Sequence, residues 1–315
     1  MYQNPIRSAF GVPTFGKAPL VSPDEDWKAD IAILGAPFDQ GVTFRPGARF
    51  GPRAIRDAAL RYAFFPTEAG YWDMRTETWR IAKREVDCGD TDVVPLDAEK
   101  CFTNLTHAVR QIREKGAFPV VLGGDHSITL PVLQAFDDAG KITLVHFDAH
   151  TDYRDQVGGQ RIGHAQVIRR VCELDYITRA VSLGIRAIRT EPGDVRDIVR
   201  RGNTIVPAWD IHRMPLAEIV KKLPSGERVY VTFDIDAMDP SIAPGTGTIE
   251  AGGLFYEQAR ALLQAVCERN EIIGFDMVEV NPMLENIQLT GLLAAQLTLD
   301  FLGFVFPGQK ETTGR

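Results

Sequence analysis

The stretch "KITLVHFDAHTD", residues 141–152, admits two readings. As a helix it pairs His146 with His150 and Asp148 with Asp152 at i,i+4. As a strand it sets all four side chains on one face and Phe147, Ala149 and Thr151 on the other. The apolar, β-branched "KITLV" that leads into it decides for a strand. Similar runs recur at "ADIAILGAP", "FPVVLGGDH", "AVSLGIR", "NTIVPA", "RVYVTFDID" and "EIIGFDMVEV". Between some of them lie helical patterns such as "TNLTHAVRQIREKG" and "LFYEQARALLQAVCERN". Alternation of this kind predicts an α/β fold with a mainly parallel sheet and helices on both faces, because each parallel connection needs a crossover.

With 315 residues, 44% of them hydrophobic, the chain can bury the core of one large α/β domain. No compositional break marks a linker, so residues 1–315 are read as a single domain with an N-terminal extension of about 1–28. A net charge of −7 gives no general attraction for nucleic acid. No run of 18 or more apolar residues and no signal-peptide core are present, so neither nucleic acid nor membrane is expected as a partner. Cys88, Cys101, Cys172 and Cys267 are scattered without a CxxC pair and read as reduced, mostly buried thiols of a cytoplasmic protein. The glycine-rich "GAPFDQGVTFRPGARFGP" matches no phosphate-loop pattern and reads as an ordered loop leading into a helix near Pro52.

Ligands of open parallel sheets gather at the carboxyl ends of the strands. Three strands here finish in ligand-type residues, "GGDH", "DAHTD" and "DIDAMDP", and a fourth finishes in "VEV" before Asn281 and Pro282. Buried carboxylates and imidazoles on one face repel or stay unsatisfied without a counter-charge. Six candidate ligands converge: His126, Asp148, His150, Asp152, Asp234 and Asp236. Their four carboxylates balance two divalent cations better than one. Oxygen and imidazole donors without thiolate suit Mn²⁺, with Ni²⁺ as the alternative and Co²⁺ or Zn²⁺ open. Such a pair holds a bridging water, lowers its pKa and presents hydroxide to an electrophilic carbon. His146 reads as an ordinary half-buried strand residue and His107 and His212 as surface or core histidines, while Asp125 is placed to orient a ligand.

Five motifs in order, "GAPFDQGVTFRPGARFGPRAIR", "GGDHSI", "HFDAHTD", "FDIDAMDPSIAPGTGT" with "GGL", and "DMVEVNP", resemble the ureohydrolase family of arginases and agmatinases, most closely its agmatinase-like branch. The resemblance implies a three-layer α/β/α fold, a binuclear Mn²⁺ cluster and hydrolysis of a guanidino group to urea and an amine. His126, Asp148, Asp152 and Asp234 would hold one metal; Asp148, His150, Asp234 and Asp236 would hold the other. Glu279 matches the glutamate that binds the guanidinium. The bridging hydroxide would attack the guanidinium carbon, Asp152 would carry the proton to the departing nitrogen, and His164 in "RIGHAQVIRR" would bind substrate and shuttle protons to solvent. Relatives often have glycine after that histidine, where this chain has Ala165.

Arginases resemble one another in an asparagine two residues after the last ligand of "DAHTD", where this chain has Arg154. Arginine is therefore disfavoured and agmatine leads, with guanidinobutyrate, guanidinopropionate, guanidine and small N-alkylguanidines as competitors. Met283, Leu284 and Glu285, in the 283–288 loop, are candidates for reshaping the pocket mouth, and Phe64, Phe65, Tyr71 and Trp72 for a pocket wall or a subunit contact. Two other classes compete. A non-catalytic subunit of a mixed oligomer would bind metal without turnover, and a deacetylase or formimino hydrolase would differ in metal stoichiometry or release formamide. The resemblance also implies a homo-oligomer, a trimer or hexamer.

Overall fold

The computed structural model describes residues 11–64, 70–81 and 83–310. Residues 1–10 of the expected N-terminal extension, and Phe65, lie outside the described residues. In chain order the strands are β1 (Ile31–Ala36), β2 (Tyr71–Asp73), β3 (Thr78–Arg80), β4 (Glu85–Asp90), β5 (Phe118–Gly123), β6 (Ile142–Phe147), β7 (Ile177–Ile185), β8 (Thr204–Pro207), β9 (Arg228–Asp234), β10 (Glu271–Val278) and β11 (Pro307–Lys310). The α-helices are α1 (Gly51–Ala59), α2 (Ala98–Glu114), α3 (Thr129–Gln134), α4 (Val167–Cys172), α5 (Pro192–Arg200), α6 (Ala208–Arg213), α7 (Leu216–Val220), α8 (Tyr256–Cys267) and α9 (Leu289–Val305).

Eight strands form one parallel sheet in the order β4-β1-β5-β10-β9-β6-β7-β8, and β11-β3-β2 form a small antiparallel sheet. Alternating side chains on each strand feed two cores. Ile31, Ile33, Val145, Phe147, Phe233 and Phe275 pack with α1, α8 and α9 on one face, and Ala32, Leu34, Leu144 and Tyr230 pack with α2, α3 and α4 on the other. This is the three-layer α/β/α arrangement expected. Two aromatic stacks, Phe147 on Phe233 at 4.8 Å and Phe275 on Phe301 at 4.3 Å, tie the central strands to each other and to α9.

Strand order carries the functional consequence. After β5 the chain leaves room for two strands before laying down β6, and β9 and β10 later fill that gap. Four strands distant in sequence, β5, β10, β9 and β6, thus become neighbours, and their carboxyl ends open onto one crevice where the strand order reverses. β4, "EVDCGD", has no apolar run to announce it, which its place at the sheet edge permits. Its buried Asp87 is compensated by Arg56 of α1, whose Nε donates to Oδ2 and whose Nη2 donates to Oδ1, both at 2.9 Å.

Tyr71 and Trp72 sit on the small sheet. The Tyr71 hydroxyl donates to Leu299 O (3.3 Å) and Trp72 meets Trp79 edge-on at 5.6 Å. Tyr71 therefore docks on the C-terminal half of α9, which runs away from the crevice, and does not wall the pocket. Among the described residues no helix is long and apolar enough to cross a membrane.

Candidate metal centre and substrate pocket

Each candidate ligand stands where a central strand stops. β6 ends at Phe147, so Asp148, His150 and Asp152 are not spread along one strand face as the sequence pattern suggests; they lie on the loop that follows. That loop turns sharply at Asp152, which adopts φ +45°, a left-handed conformation that aspartate tolerates better than most residues. Glu279, just beyond β10, holds φ +63°, where a glutamate is strained by roughly 1–3 kcal/mol. Strain at two candidate functional residues is what a site that must aim its side chains accumulates.

His126 follows "GGD" at the end of β5. Gly124 lets the backbone pass close, since a Cβ there would stand 1.8 Å from Phe38 O. Asp125 caps the short turn that starts at His126: Oδ1 accepts from Ser127 N (2.9 Å), while Oδ2 accepts from Gly41 N (2.7 Å). Asp125 thus positions His126 through the backbone and ties down the loop after β1. Burial, with the charge of Glu279, pushes its carboxyl up to about 7.

The His126 ring is fully buried. Its Nε2 lies 2.9 Å from Thr232 Oγ1, and Thr232 in turn donates to Asp276 Oδ1 at 2.5 Å. Since the threonine hydrogen is committed to Asp276, its oxygen accepts from His126 Nε2–H, leaving the Nδ1 lone pair to point the other way. There it faces Asp148 Oδ2 (3.1 Å), Asp152 Oδ2 (3.1 Å) and Asp234 Oδ2 (3.2 Å), and it makes no hydrogen bond. A lone pair opposed by three carboxylate oxygens is repulsive unless a positive charge stands between them. With protons alone, burial opposes the charge on His126, yet Asp148, Asp152 and Asp234 hold its pKa well above the ordinary value. Burial, together with Asp236 and Asp148, drives Asp234 well above the carboxylate range. A divalent cation satisfies the same demand, and the oxygen and imidazole donors fit one.

A second group lies alongside. His150 Nδ1 stands 3.0 Å from Asp236 Oδ2 and 3.2 Å from Asp148 Oδ1, while Asp236 Oδ1 accepts from Ala149 N (3.0 Å). Burial and the Asp148 charge push Asp236 up to about 6. Two sets, His126–His146–Asp148–Asp152 and Asp148–His150–Asp236, bring their donor atoms close enough to share an ion, with Asp148 common to both. His146 is in the first by proximity, but both its ring nitrogens are engaged, Nε2 with Asp148 Oδ2 at 2.7 Å and Nδ1 with Ser182 Oγ at 3.0 Å. It is fully buried rather than half-buried, and it braces Asp148. His107 and His212 are exposed.

Beneath this centre runs a supporting row that sequence patterning does not reveal. Ser182, His146, Thr232 and Asp276 occupy adjacent registers on β7, β6, β9 and β10. All four are buried, and Tyr230 and Thr129 donate to Asp276 Oδ2 at 2.8 and 3.1 Å. Only the register across strands brings them together. The signal in the sequence that hints at it is that each of the four is a polar residue inside an apolar run.

Glu279 and His164 meet beside the carboxylates. Glu279 Oε1 accepts from His126 N (3.0 Å) and pairs with His164 Nδ1 (3.1 Å), and Oε2 accepts no hydrogen bond among the described residues. His164 Nε2 is 2.8 Å from Thr43 Oγ1 and 3.1 Å from Thr43 N. Burial pulls this imidazole down, but Glu279 outweighs it and raises the pKa to about 9. A protonated ring donates to Glu279 and to the Thr43 hydroxyl; a neutral ring, protonated on Nδ1, accepts from Thr43 N–H instead. Both protonation states of the ring thus find partners at exposed Thr43 without the ring moving. Thr43→Val is expected to lower kcat/KM by about 2- to 10-fold, one hydrogen bond's net worth, and to move the His164 titration to lower pH. An unchanged pH–rate profile would refute that link.

The remaining expected pocket residues are turned elsewhere. Arg154 spends its guanidinium on Glu191 (3.1 Å), Asp194 (3.4 Å) and Arg189 O (2.7 Å). Glu285 turns inward, its carboxylate oxygens 2.9 and 3.1 Å from Thr290 N, while Met283 is exposed. Cys88, Cys101 and Cys172 are buried free thiols, and Cys267 is partly buried.

A family model described as Arginase family matches residues 29–303. The chain belongs to the arginase family. It is similar to a guanidinobutyrase of Pseudomonas aeruginosa, 37% identical over 95% of this chain and 93% of that protein, and to an agmatinase of Bacillus anthracis, 32% identical over 91% of this chain and 96% of that one. Among solved structures it resembles a proclavaminate amidino hydrolase from Streptomyces clavuligerus, with TM-score 0.82, 28% identity, and coverage of 94% of this chain and 98% of that one. This arginase-family member is a metal-dependent amidinohydrolase of the agmatinase-like group.

Proposed function

We propose that the chain hydrolyses agmatine to urea and putrescine, the diamine left when the guanidino carbon departs, with two divalent cations, Mn²⁺ first and Ni²⁺ second. The observation that carries the reading is the buried His126 Nδ1, without a hydrogen bond and surrounded by three carboxylate oxygens at 3.1–3.2 Å, beside the second set on His150. His126, Asp148, Asp152 and Asp234 would hold one cation, and Asp148, His150, Asp234 and Asp236 the other. When bound, the pair supplies Lewis acidity and a water acidic enough to lose a proton near neutral pH.

The chain's own residues do the rest. Glu279 Oε2 receives the guanidinium, a planar cation that needs a carboxylate once desolvated. Oε1 is meanwhile fixed by His126 N and His164, so the carboxylate cannot rotate away. Asp152, on its strained turn, carries a proton to the departing nitrogen, and His164 passes protons to Thr43 and solvent. For the substrate's tail, Arg154 is neutralised by Glu191 and Asp194, which favours agmatine over a guanidino acid. Arg45 donates only to the carbonyls Gly247 O (2.7 Å) and Thr246 O (3.4 Å) and keeps its charge, so a guanidino acid stays a competitor. Similarity to a guanidinobutyrase keeps guanidinobutyrate as the second reading. Free, mostly buried thiols support a cytoplasmic setting, and a homo-oligomer is expected from the family.

The test is urea release from agmatine, guanidinobutyrate, guanidinopropionate, arginine, guanidine and alkylguanidines, each with Mn²⁺ and with Ni²⁺. Agmatine is expected to give the highest kcat/KM. Faster turnover of guanidinobutyrate would overturn the substrate, and formamide or no urea from the whole panel would overturn the reaction.

A further inference from the structure

Glu250 lies in the short gap between "PGTGT" and "GGL", outside the motifs that mark the site. We propose that Glu250 is a positioning residue for His150, held in place by Arg186, and that the two together set how firmly the second cation is bound. The inference rests on the metal-site reading above but not on the identity of the substrate.

The His150 ring stands between two loops. Its Nδ1 faces Asp236 and Asp148, while Nε2 is buried and makes no hydrogen bond. For Nδ1 to offer a lone pair to a cation, a neutral ring carries its hydrogen on Nε2. A buried N–H without an acceptor is costly, and histidines that ligate metals regularly give that hydrogen to a carboxylate or carbonyl. Glu250 Oε1 lies 3.8 Å from Nε2, beyond hydrogen-bonding distance but within a small side-chain rotation of it. The Glu250 carboxylate is itself mostly buried, 18% exposed, and free of hydrogen bonds among the described residues, so nothing holds it back.

Arg186, on the loop after β7, explains why the carboxylate stands there. Its Nη2 donates to Glu250 O (2.7 Å) and to Asp236 O (2.8 Å), and Nη1 donates to Ala237 O (3.2 Å). One planar guanidinium thus staples the peptide that carries Asp236 to the peptide that carries Glu250, fixing the residues on either side of the His150 ring. A lysine is one atom shorter and has no second nitrogen, so its ammonium would fall short of the Nη2 position and the Nη1 bond to Ala237 O would be lost.

The experiment is Mn²⁺ titration of the full chain against a competing chelator, for wild type, Glu250→Ala, Glu250→Gln and Arg186→Lys, with melting of the metal-free proteins as the control for folding. Glu250→Ala and Arg186→Lys are expected to weaken the weaker of two Mn²⁺ sites by about 10- to 100-fold. Glu250→Gln keeps an acceptor oxygen and is expected to recover part of that loss; it also serves as the near-isosteric variant should the alanine protein not fold. Two Mn²⁺ bound within about 2-fold of wild-type affinity in both Glu250 variants would overturn the proposal. A raised KM for agmatine alone, with Mn²⁺ affinity unchanged, would also overturn it and give Glu250 to the substrate's ammonium. Failure of every guanidino compound to release urea would strike the proposed function, while the Mn²⁺ titration would still decide the role of Glu250.

Discussion

Asp148→Ala is expected to bind fewer than two divalent cations and to lose urea release by at least about 10³-fold, the several kcal/mol that metal-ion catalysis supplies. Asp148 is shared by both donor sets: Oδ2 lies 3.1 Å from His126 Nδ1, and Oδ1 lies 3.2 Å from His150 Nδ1. Removing it takes a donor from each set and leaves His146 Nε2 without its buried partner. The same variant separates a metal role from a structural one. Added Mn²⁺ is expected to raise the melting temperature of the wild type, because a ligand that binds only the folded state stabilises it, and to leave the variant nearly unmoved. Robust urea release by metal-free wild type, or a full complement of two cations in the variant, would sink the two-metal reading.

Glu279→Gln is expected to cut kcat/KM for agmatine by about 10²- to 10³-fold while both cations remain bound. The magnitude follows from losing one charge of a desolvated ion pair with the guanidinium, about 2–5 kcal/mol. Glutamine keeps an oxygen for His126 N and carries the same backbone strain at φ +63°, so folding should survive. A proton readout accompanies the kinetic one. Glu279 is the main group that raises His164 to about 9, against burial, which pulls it down. Without that charge burial dominates, so His164 should lose its proton at lower pH than in the wild type. Measured by NMR titration, an unshifted His164 would contradict the pairing, and kcat/KM within about 3-fold of wild type would remove Glu279 from guanidinium binding.

Much of the framework was legible because it is local. Seven of the eight sheet strands announce themselves as apolar, β-branched runs; for the six interior ones this follows from burial on both faces, and the edge strand β8 carries such a run as well. β4 escapes notice because an edge strand can carry Glu85 and Asp90, and because the charge of its buried Asp87 is answered by Arg56 some thirty residues earlier. His146 was misjudged for a related reason. A histidine inside a strand looks half-buried by alternation, but its partners, Ser182 and Asp148, become visible only when β6 lies beside β7 and its own loop folds back.

By itself, the sequence determined the chemistry on offer: which residue types stand at which strand ends, and the family whose motifs they share. Those facts depend on chain-local pattern, and a residue's position at the end of a run survives any arrangement of the runs. Tertiary structure alone decided that β5, β10, β9 and β6 are neighbours, that Thr232 and Asp276 turn the His126 lone pair towards three carboxylates, and that Arg186 brings Glu250 to the far side of His150. Strand order and register are set by how crossover helices pack on a twisted sheet, a sum of contacts between residues far apart in the chain. The opening stretch shows the division: "DAHTD" supplied the donors, and the turn at Asp152 with the row beneath His146 supplied their aim.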